Sequence, residues 1–427
     1  MTDLEVGRRG RRRRSPAGEF GRLWAAYAVS SLGTRLAFDA FPLVAIRVLH
    51  SGAAQVSALA AAGTAVGAVV AVPLGPWVEF RRKRPVMIAM DLIRCAALLT
   101  VPAAFALGVL TFAQLLVVSV VVAAADIAFG AASGAFLKTL LPRRDLLKAG
   151  ARLESTTWTT TVLGPPLGGA AIGLFGPVAT VVADAVSYLL SAAGIGTMSP
   201  DTEGGSGGGS RSGRAGKGSA SGSRPRPRDV LEGWRHILAH PVLRPLFFNT
   251  VLVNGLIMAV APPLAVLMLG PLGFPPWQYG LAFAVPCLGG LVGARLSRPL
   301  VARYGGHRVL RTAGALRACW SLGLAFVRPG TAGLVLVMVV EFGLITCIGV
   351  FNPVLATLRL ELTPAEKAAR TLSAWSVTGK ASIAALTAAW GVLSAVTTTR
   401  TALAAAGLLL LATPLLLPRR APAGAGP

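Results

Sequence analysis

Charged side chains set within long apolar runs are the residues of this sequence best placed to do chemistry. Arg35 and Asp39 stand in the first such run, Asp126 in the fourth, Arg317 in the ninth, Glu341 in the tenth and Lys380 in the eleventh. A charge at the centre of a bilayer costs about 2.5–3.5 kcal/mol on insertion scales, so it survives where it pairs or lines a polar path. Arg35 and Asp39, four apart, neutralise each other if the run is one helix. A carboxylate whose surroundings alternate between two states can take up a proton on one side of a membrane and release it on the other. Asn249 and Asn254 add neutral hydrogen-bonding groups in the seventh run. The competing reading makes Arg35–Asp39 and Glu341–Lys380 satisfied pairs that lock helices together. Enzyme chemistry lacks its parts: His50, His236, His240 and His307 fall at loops or run ends, and HExxH and GxSxG are absent. Cys95, Cys287, Cys319 and Cys347 sit in apolar runs without CxxC spacing. Neither an enzyme nor a metal site or cofactor is expected.

The elements that position these residues follow from composition. Of 427 residues, 54% are hydrophobic and 14% charged, and the mean hydropathy is +0.65. Soluble domains carry about 25% charged residues. Blocks of about 20 apolar residues span a hydrocarbon core as helices, and lipid leaves no other open structure able to satisfy the backbone. The sequence predicts an all-α membrane protein with spans at 22–48, 53–78, 86–109, 112–141, 150–174, 177–198, 243–269, 277–300, 308–328, 331–358, 369–396 and 400–418. Very short links after the third, fifth and ninth spans mark helical hairpins.

The net charge of +24 does not describe a nucleic-acid surface, because the cations fall in alternate links between spans. One set holds the N-terminal tail, Arg81-Arg82-Lys83-Arg84, Arg143-Arg144 with Lys148, the central linker, Arg303 with Arg308, Lys367 with Arg370, and Arg419-Arg420. The other set offers Arg47, Arg328 and Arg400. Such alternation is the positive-inside pattern. It places both termini in the cytoplasm and the protein in the inner (plasma) membrane as a multi-pass chain, with the lipid bilayer as its surroundings.

Composition also divides the chain. Residues 1–21 form a basic tail, 22–198 a six-helix bundle, 199–228 a Gly/Ser/Arg linker unable to bury a core, 229–418 a surface helix plus a second six-helix bundle, and 419–427 a tail. The surface helix is expected over Asp229–Ala239. The halves read as repeats: ten residues separate Arg84 from Arg94, and ten separate His307 from Arg317. Parallel repeats of this kind build many transporters.

Two motifs carry a family resemblance. Gly75-Pro-Trp-Val-Glu79-Phe-Arg81-Arg82-Lys83-Arg84, with Asp91 and Arg94 beyond it, is a glycine, an acid four later and then a basic cluster, departing from the usual pattern at Phe80 and Arg82. Gly164-Pro165-Pro166-Leu167-Gly168-Gly169 sits in the fifth span, where proline removes a donor and glycine permits close helix contact. With these motifs the sequence resembles the major facilitator superfamily, in its twelve-span drug and macrolide-type efflux branch of drug:proton antiporters. Asp184-Ala-Val-Ser-Tyr188 also resembles this branch and is expected to be structural, toward the outer side. The resemblance implies two six-helix bundles, a gating loop between spans two and three, and a cavity lined by spans one, four, seven and ten. Asp39, Asp126, Asn249, Asn254 and Glu341 fall on those spans, with Arg35, Lys380 and Arg317 nearby. The function it implies is proton-coupled export of an amphipathic small molecule, such as an antibiotic, by alternating access. The alternatives are an importer or facilitator of a metabolite or lipid, or a non-transporting sensor or scaffold.

Overall fold

The computed structural model describes residues 16–37, 40–79, 81–141, 143–198 and 227–418. These are helical almost throughout: α1 Pro16–Leu36, α2 Ala40–Arg47, α3 Ala53–Glu79, α4 Lys83–Ala106, α5 Phe112–Leu140, α6 Arg143–Phe175 and α7 Pro177–Gly196 in the first half. The second half holds α8 Pro227–Ala239, α9 Leu243–Leu269, α10 Pro276–Tyr304, α11 Gly306–Trp320 with a 3-10 turn to Phe326, α12 Thr331–Glu361, α13 Ala365–Val396 and α14 Thr399–Ala412. Among the described residues nine segments are long and apolar enough to cross a bilayer. The second, fifth and ninth expected spans are helical as well but fall outside that set. Of these, α6 opens on charged and hydroxyl residues, and α11 is 15 residues long and carries Arg317 in its last turn.

The first expected span is not one helix. α1 ends at Leu36, α2 begins at Ala40, and the Ala40 amide bonds the Ala37 carbonyl at 2.8 Å. The continuous-helix spacing of Arg35 and Asp39 therefore runs across a break, and Phe38 and Asp39 lie outside the described residues. The expected hairpins after the third, fifth and ninth spans are present as α4–α5, α6–α7 and the 3-10 turn after α11 leading to α12, and a further tight link, not among those expected, joins α10 to α11. α6 passes to α7 through Gly176 alone, with φ +83°, and α10 passes to α11 through Gly305, with φ +80°. Left-handed backbone of this kind is open to glycine without a Cβ penalty. α8 covers the segment Asp229–Ala239 where a short helix was expected. The polar linker at 199–226 and both chain ends lie outside the described residues.

In the first half, α4 packs on α5 and α7; in the second, α10 packs on α12 and α9 on α13. The halves meet where α3 packs on α13 and α6 on α10. One end of the bundle gathers the start of α4, the ends of α7 and the start of α13 with α8; we call it the linker end and its opposite the far end.

Candidate functional site

Glycines set the seam between the halves. A Cβ at Gly169 of α6 would lie 2.8 Å from the Gly280 Cα of α10, and one at Gly280 would lie 2.6 Å from the Pro165 carbonyl oxygen. On the other side of the seam, a Cβ at Gly391 of α13 would sit 2.4 Å from the Ser57 Cβ of α3. Arg47 Nη2 donates to the Phe274 carbonyl at 3.2 Å, again across the halves. Ser57, Arg47, Gly391 and Gly169 belong to the far ends of their helices and Phe274 to the far-end link between α9 and α10, so these approaches close that end. Within the first half, Gly164 is pressed against Arg35, whose Cβ would be 2.5 Å from a Cβ added there. Gly168 is buried beside Gly169. The Gly-Pro motif is thus the packing surface of the seam and of the broken first span.

Toward mid-helix the seam becomes polar. Cys287 Sγ of α10 lies 3.8 Å from the Thr161 carbonyl of α6, and the thiol is within electrostatic reach of both Arg35 and Glu341. A cation from the first half and a carboxylate from the second thus each act on the same seam thiol. Glu341 is only 9% exposed, and no ion pair joins it to Lys380, which is exposed on α13, among the described residues. Asn254 is exposed on α9 and makes no described contact with this group.

A second polar cluster lies inside the first half. Arg94 of α4 is buried, pairs with Asp91 one turn before it, and donates to Asp126 Oδ1 of α5 at 3.0 Å. Its guanidinium stands over the Tyr188 ring at 4.1 Å and the Phe129 ring at 4.7 Å. Asp184 of α7 joins through hydroxyls: Thr34 of α1 donates to it at 3.3 Å and shares a 2.7 Å hydrogen bond with the Tyr188 hydroxyl. Asp126 is 71% exposed while its partner Arg94 is 2% exposed, so the pair reaches from the core to an open surface. Sequence reasoning assigned Asp91 and Arg94 to a loop motif and Asp126 to a cavity. The fold makes them one network, and it draws in Asp184, Thr34 and Tyr188.

The second half repeats this arrangement without its acids. Arg317 of α11 is 0% exposed, donates to Asn249 Oδ1 of α9 at 2.5 Å, and lies 3.7 Å over the Phe351 ring of α12. Asn249 in turn donates to the Thr413 carbonyl at 2.8 Å. Arg94 over Phe129 and Arg317 over Phe351 are like positions in like helices. Where the first half has Asp91 and Asp126, three residues before its arginine and its phenylalanine, the second has Gly314 and Ile348. Arg317 Nε and Nη1 are left without partners.

The basic loop lies at the linker end. Gly75 and Glu79 fall in the last turns of α3, and the Glu79 side chain lies outside the described residues. Arg81 and Arg82 are exposed between α3 and α4, and Lys83 opens α4. Arg84 donates to the Ile195 carbonyl at 3.1 Å and the Gly196 carbonyl at 2.5 Å, capping the end of α7. A cation there satisfies helix-terminal carbonyls and the negative end of the helix dipole. Indole ties repeat as well. Trp24 of α1 donates to Thr156 of α6 at 2.9 Å, and Trp234 of α8 donates to Thr378 of α13 at 2.9 Å. α8 is further held where Glu232 pairs with Arg370 and, at 3.6 Å, with Lys367. These ties were legible only by aligning the two halves, where an indole and a threonine recur.

Comparison with known proteins agrees with this architecture. No curated protein matches the sequence. The structure of the nucleoside transporter NupG superposes with a TM-score of 0.72 at 12% identity, covering 93% of this chain and 97% of that one. A bacterial homologue of the iron transporter ferroportin in an inward-facing state gives 0.70 at 17% identity, covering 94% and 99%. A bacterial homologue of the human lysosomal transporter Spinster, inward-facing and unoccupied, gives 0.66 at 15% identity, covering 94% of each chain. At such identities the likeness shows the fold. Residues 23–386 match the Major Facilitator Superfamily, and the chain belongs to that family of transporters.

Proposed function

We propose that this transporter exports an amphipathic small molecule by alternating access and couples that step to protons. The observation that carries the reading is the placement of buried Glu341 on the seam, where it and Arg35 of the opposite half each lie within electrostatic reach of Cys287. Glu341 has no ion-pair partner among the described residues, and its distance from Arg35 changes whenever the halves rock. A carboxylate in that position changes its neighbours between states, which is what proton coupling requires. A membrane potential supplies about 2.3 kcal/mol per charge per 100 mV, sufficient to bias the cycle. The network of Asp91, Arg94, Asp126 and Asp184 supplies a further set of carboxylates in the first half.

Three features support the rest of the proposal. The antiporter-like motif Gly164–Gly169 lies on the seam that must open and close, which favours export. The alternating cationic links favour cytoplasmic termini in the plasma membrane. The two helical halves joined through 199–228 are the bodies that rock.

The test is substrate-dependent proton flux in proteoliposomes, followed with a trapped pH dye. Glu341→Gln and Asp39→Asn are each expected to reduce it strongly. Unchanged flux in both variants removes proton coupling through this seam. Accumulation of a fluorescent substrate in pump-deficient cells fixes the direction: lower accumulation with the protein present means export, and higher accumulation means import.

A further inference from the structure

A cavity of about 530 Å³ opens between the last turns of α10, the start of α11 and the end of α12. Arg298, His307 and Glu361 line it together with Val354, Thr357 and Leu358. None of the three titratable side chains finds a partner among the described residues. Arg298 and Glu361 form no ion pair, and both ring nitrogens of His307 are shielded without a hydrogen bond. Buried polar atoms in native structures are almost always satisfied, so the two shielded His307 nitrogens, with the exposed side chains of Arg298 and Glu361 lining the same cavity, call for an occupant. The complement is a group with an anionic and a cationic end.

The position of the cavity selects the source of that group. Thr357 follows Val339 on α12 by 18 residues, about five helical turns, so both share a face. Val339 is an apolar side chain left 53% exposed, as lipid-facing residues are. Glu341 points the other way: 16 residues before Thr357, it lies about 160° around the helix, so the cavity is separate from the seam. Higher on the same face a second cavity of about 430 Å³ is lined by Val285, Met338, Val339, Phe342 and Thr346. Thr346 and Thr357 are about 16 Å apart along the axis, a span that an acyl chain covers.

We propose that this face holds an aminophospholipid. Its phosphate is bound by Arg298 and His307, its ammonium by Glu361, and one acyl chain lies in the apolar groove. Charged pockets between helices at a membrane surface bind headgroups in this way.

The test uses the full-length protein exchanged into nanodiscs of phosphatidylethanolamine, phosphatidylcholine or phosphatidylglycerol. Co-purifying lipid is counted by native mass spectrometry. Phosphatidylethanolamine is expected to be retained about tenfold better than its N-trimethylated counterpart, which cannot donate to Glu361. Glu361→Gln should abolish that preference. Arg298→Gln should release every phospholipid, and Arg298→Lys should retain part of the binding. Equal retention of all three lipids, or a preference for phosphatidylglycerol that Glu361→Gln leaves unchanged, overturns the proposal. Displacement by soluble phosphoethanolamine as effective as by a lyso-lipid overturns the lipid source and makes this a site for a soluble zwitterion.

Discussion

Replacing Gly169 with alanine puts a methyl group into the seam between the halves. The added Cβ would meet the Gly280 Cα at 2.8 Å and the Pro276 carbonyl oxygen at 3.1 Å. Carbon contacts settle near 3.5–4.0 Å, so the overlap is up to about 1 Å, against backbone that has no rotamer to change. Overpacking of this kind costs about 1–3 kcal/mol. The penalty falls only on the state in which the far end is sealed, so that state should lose about 5- to 150-fold in relative population. Gly173, one turn further along α6, is the internal control: its Cβ would sit 3.7 Å from Trp277 Cβ, an ordinary contact. Spin labels at Val109 and Pro329, on far-end loops of the two halves, report the separation by pulsed electron paramagnetic resonance. Gly169→Ala and Gly280→Ala should move the distance distribution to longer values, and Gly173→Ala should leave it in place. A wild-type distribution in both seam variants, or the same shift in Gly173→Ala, refutes the assignment of this seam as the closing surface.

The buried arginines should respond differently to loss of charge. Arg94→Met leaves Asp91 buried and unpaired and should cost about 3–5 kcal/mol. Adding Asp91→Asn should recover much of the thermal stability lost in detergent. Arg317→Met removes a cation with no carboxylate beside it, and the expected change is under about 1 kcal/mol or stabilising; a loss matching that of Arg94→Met contradicts this. His240 lies between α8 and α9, where its Nδ1 accepts from the Val242 and Leu243 amides at 3.2 Å. Partial burial, and then the neighbouring His236, hold its pKa below the usual histidine value. The unfolded chain therefore binds this proton more readily than the folded one. The contribution is present above about pH 6.5 and is lost as the pH falls through that value toward the lower folded one. His240→Asn keeps an acceptor that does not titrate, so the slope of melting temperature against pH in that window should flatten.

Much of this fold was legible in the sequence because lipid imposes a severe rule on the backbone. Long apolar runs had to be helices, and the very short links after the third, fifth and ninth runs marked hairpins, while the tight turn at Gly305 was not anticipated. The break at Ala37 was missed. Leu36-Ala37-Phe38-Asp39 holds no helix breaker, but Pro42 in the first turn of α2 cannot donate to the carbonyl four residues earlier and crowds it, a signal the sequence reading passed over. For the site, helix periodicity could place Glu341 and Arg35 within the membrane but could not say which helices face one another. Arg94 illustrates the limit. Its spacing from Arg84 tied it to a loop motif, yet beyond Asp91 on its own helix its partners come from α5 and α7, 32 residues away for Asp126 and further for Tyr188. The identity of the seam residues was clearer, because Gly164-Pro165-Pro166-Leu167-Gly168-Gly169 leaves a helix almost bare on one side.

The contrast between Arg94 and Arg317 bears on how far the two halves could substitute for each other. A chimera of two first halves would set six carboxylates around two guanidinium groups at mid-depth. One made from two second halves would bury two cations with only asparagine to answer them. The duplication has therefore become a division of labour that neither copy can reverse alone, and directed recombination between halves must carry the acid positions along with the arginine.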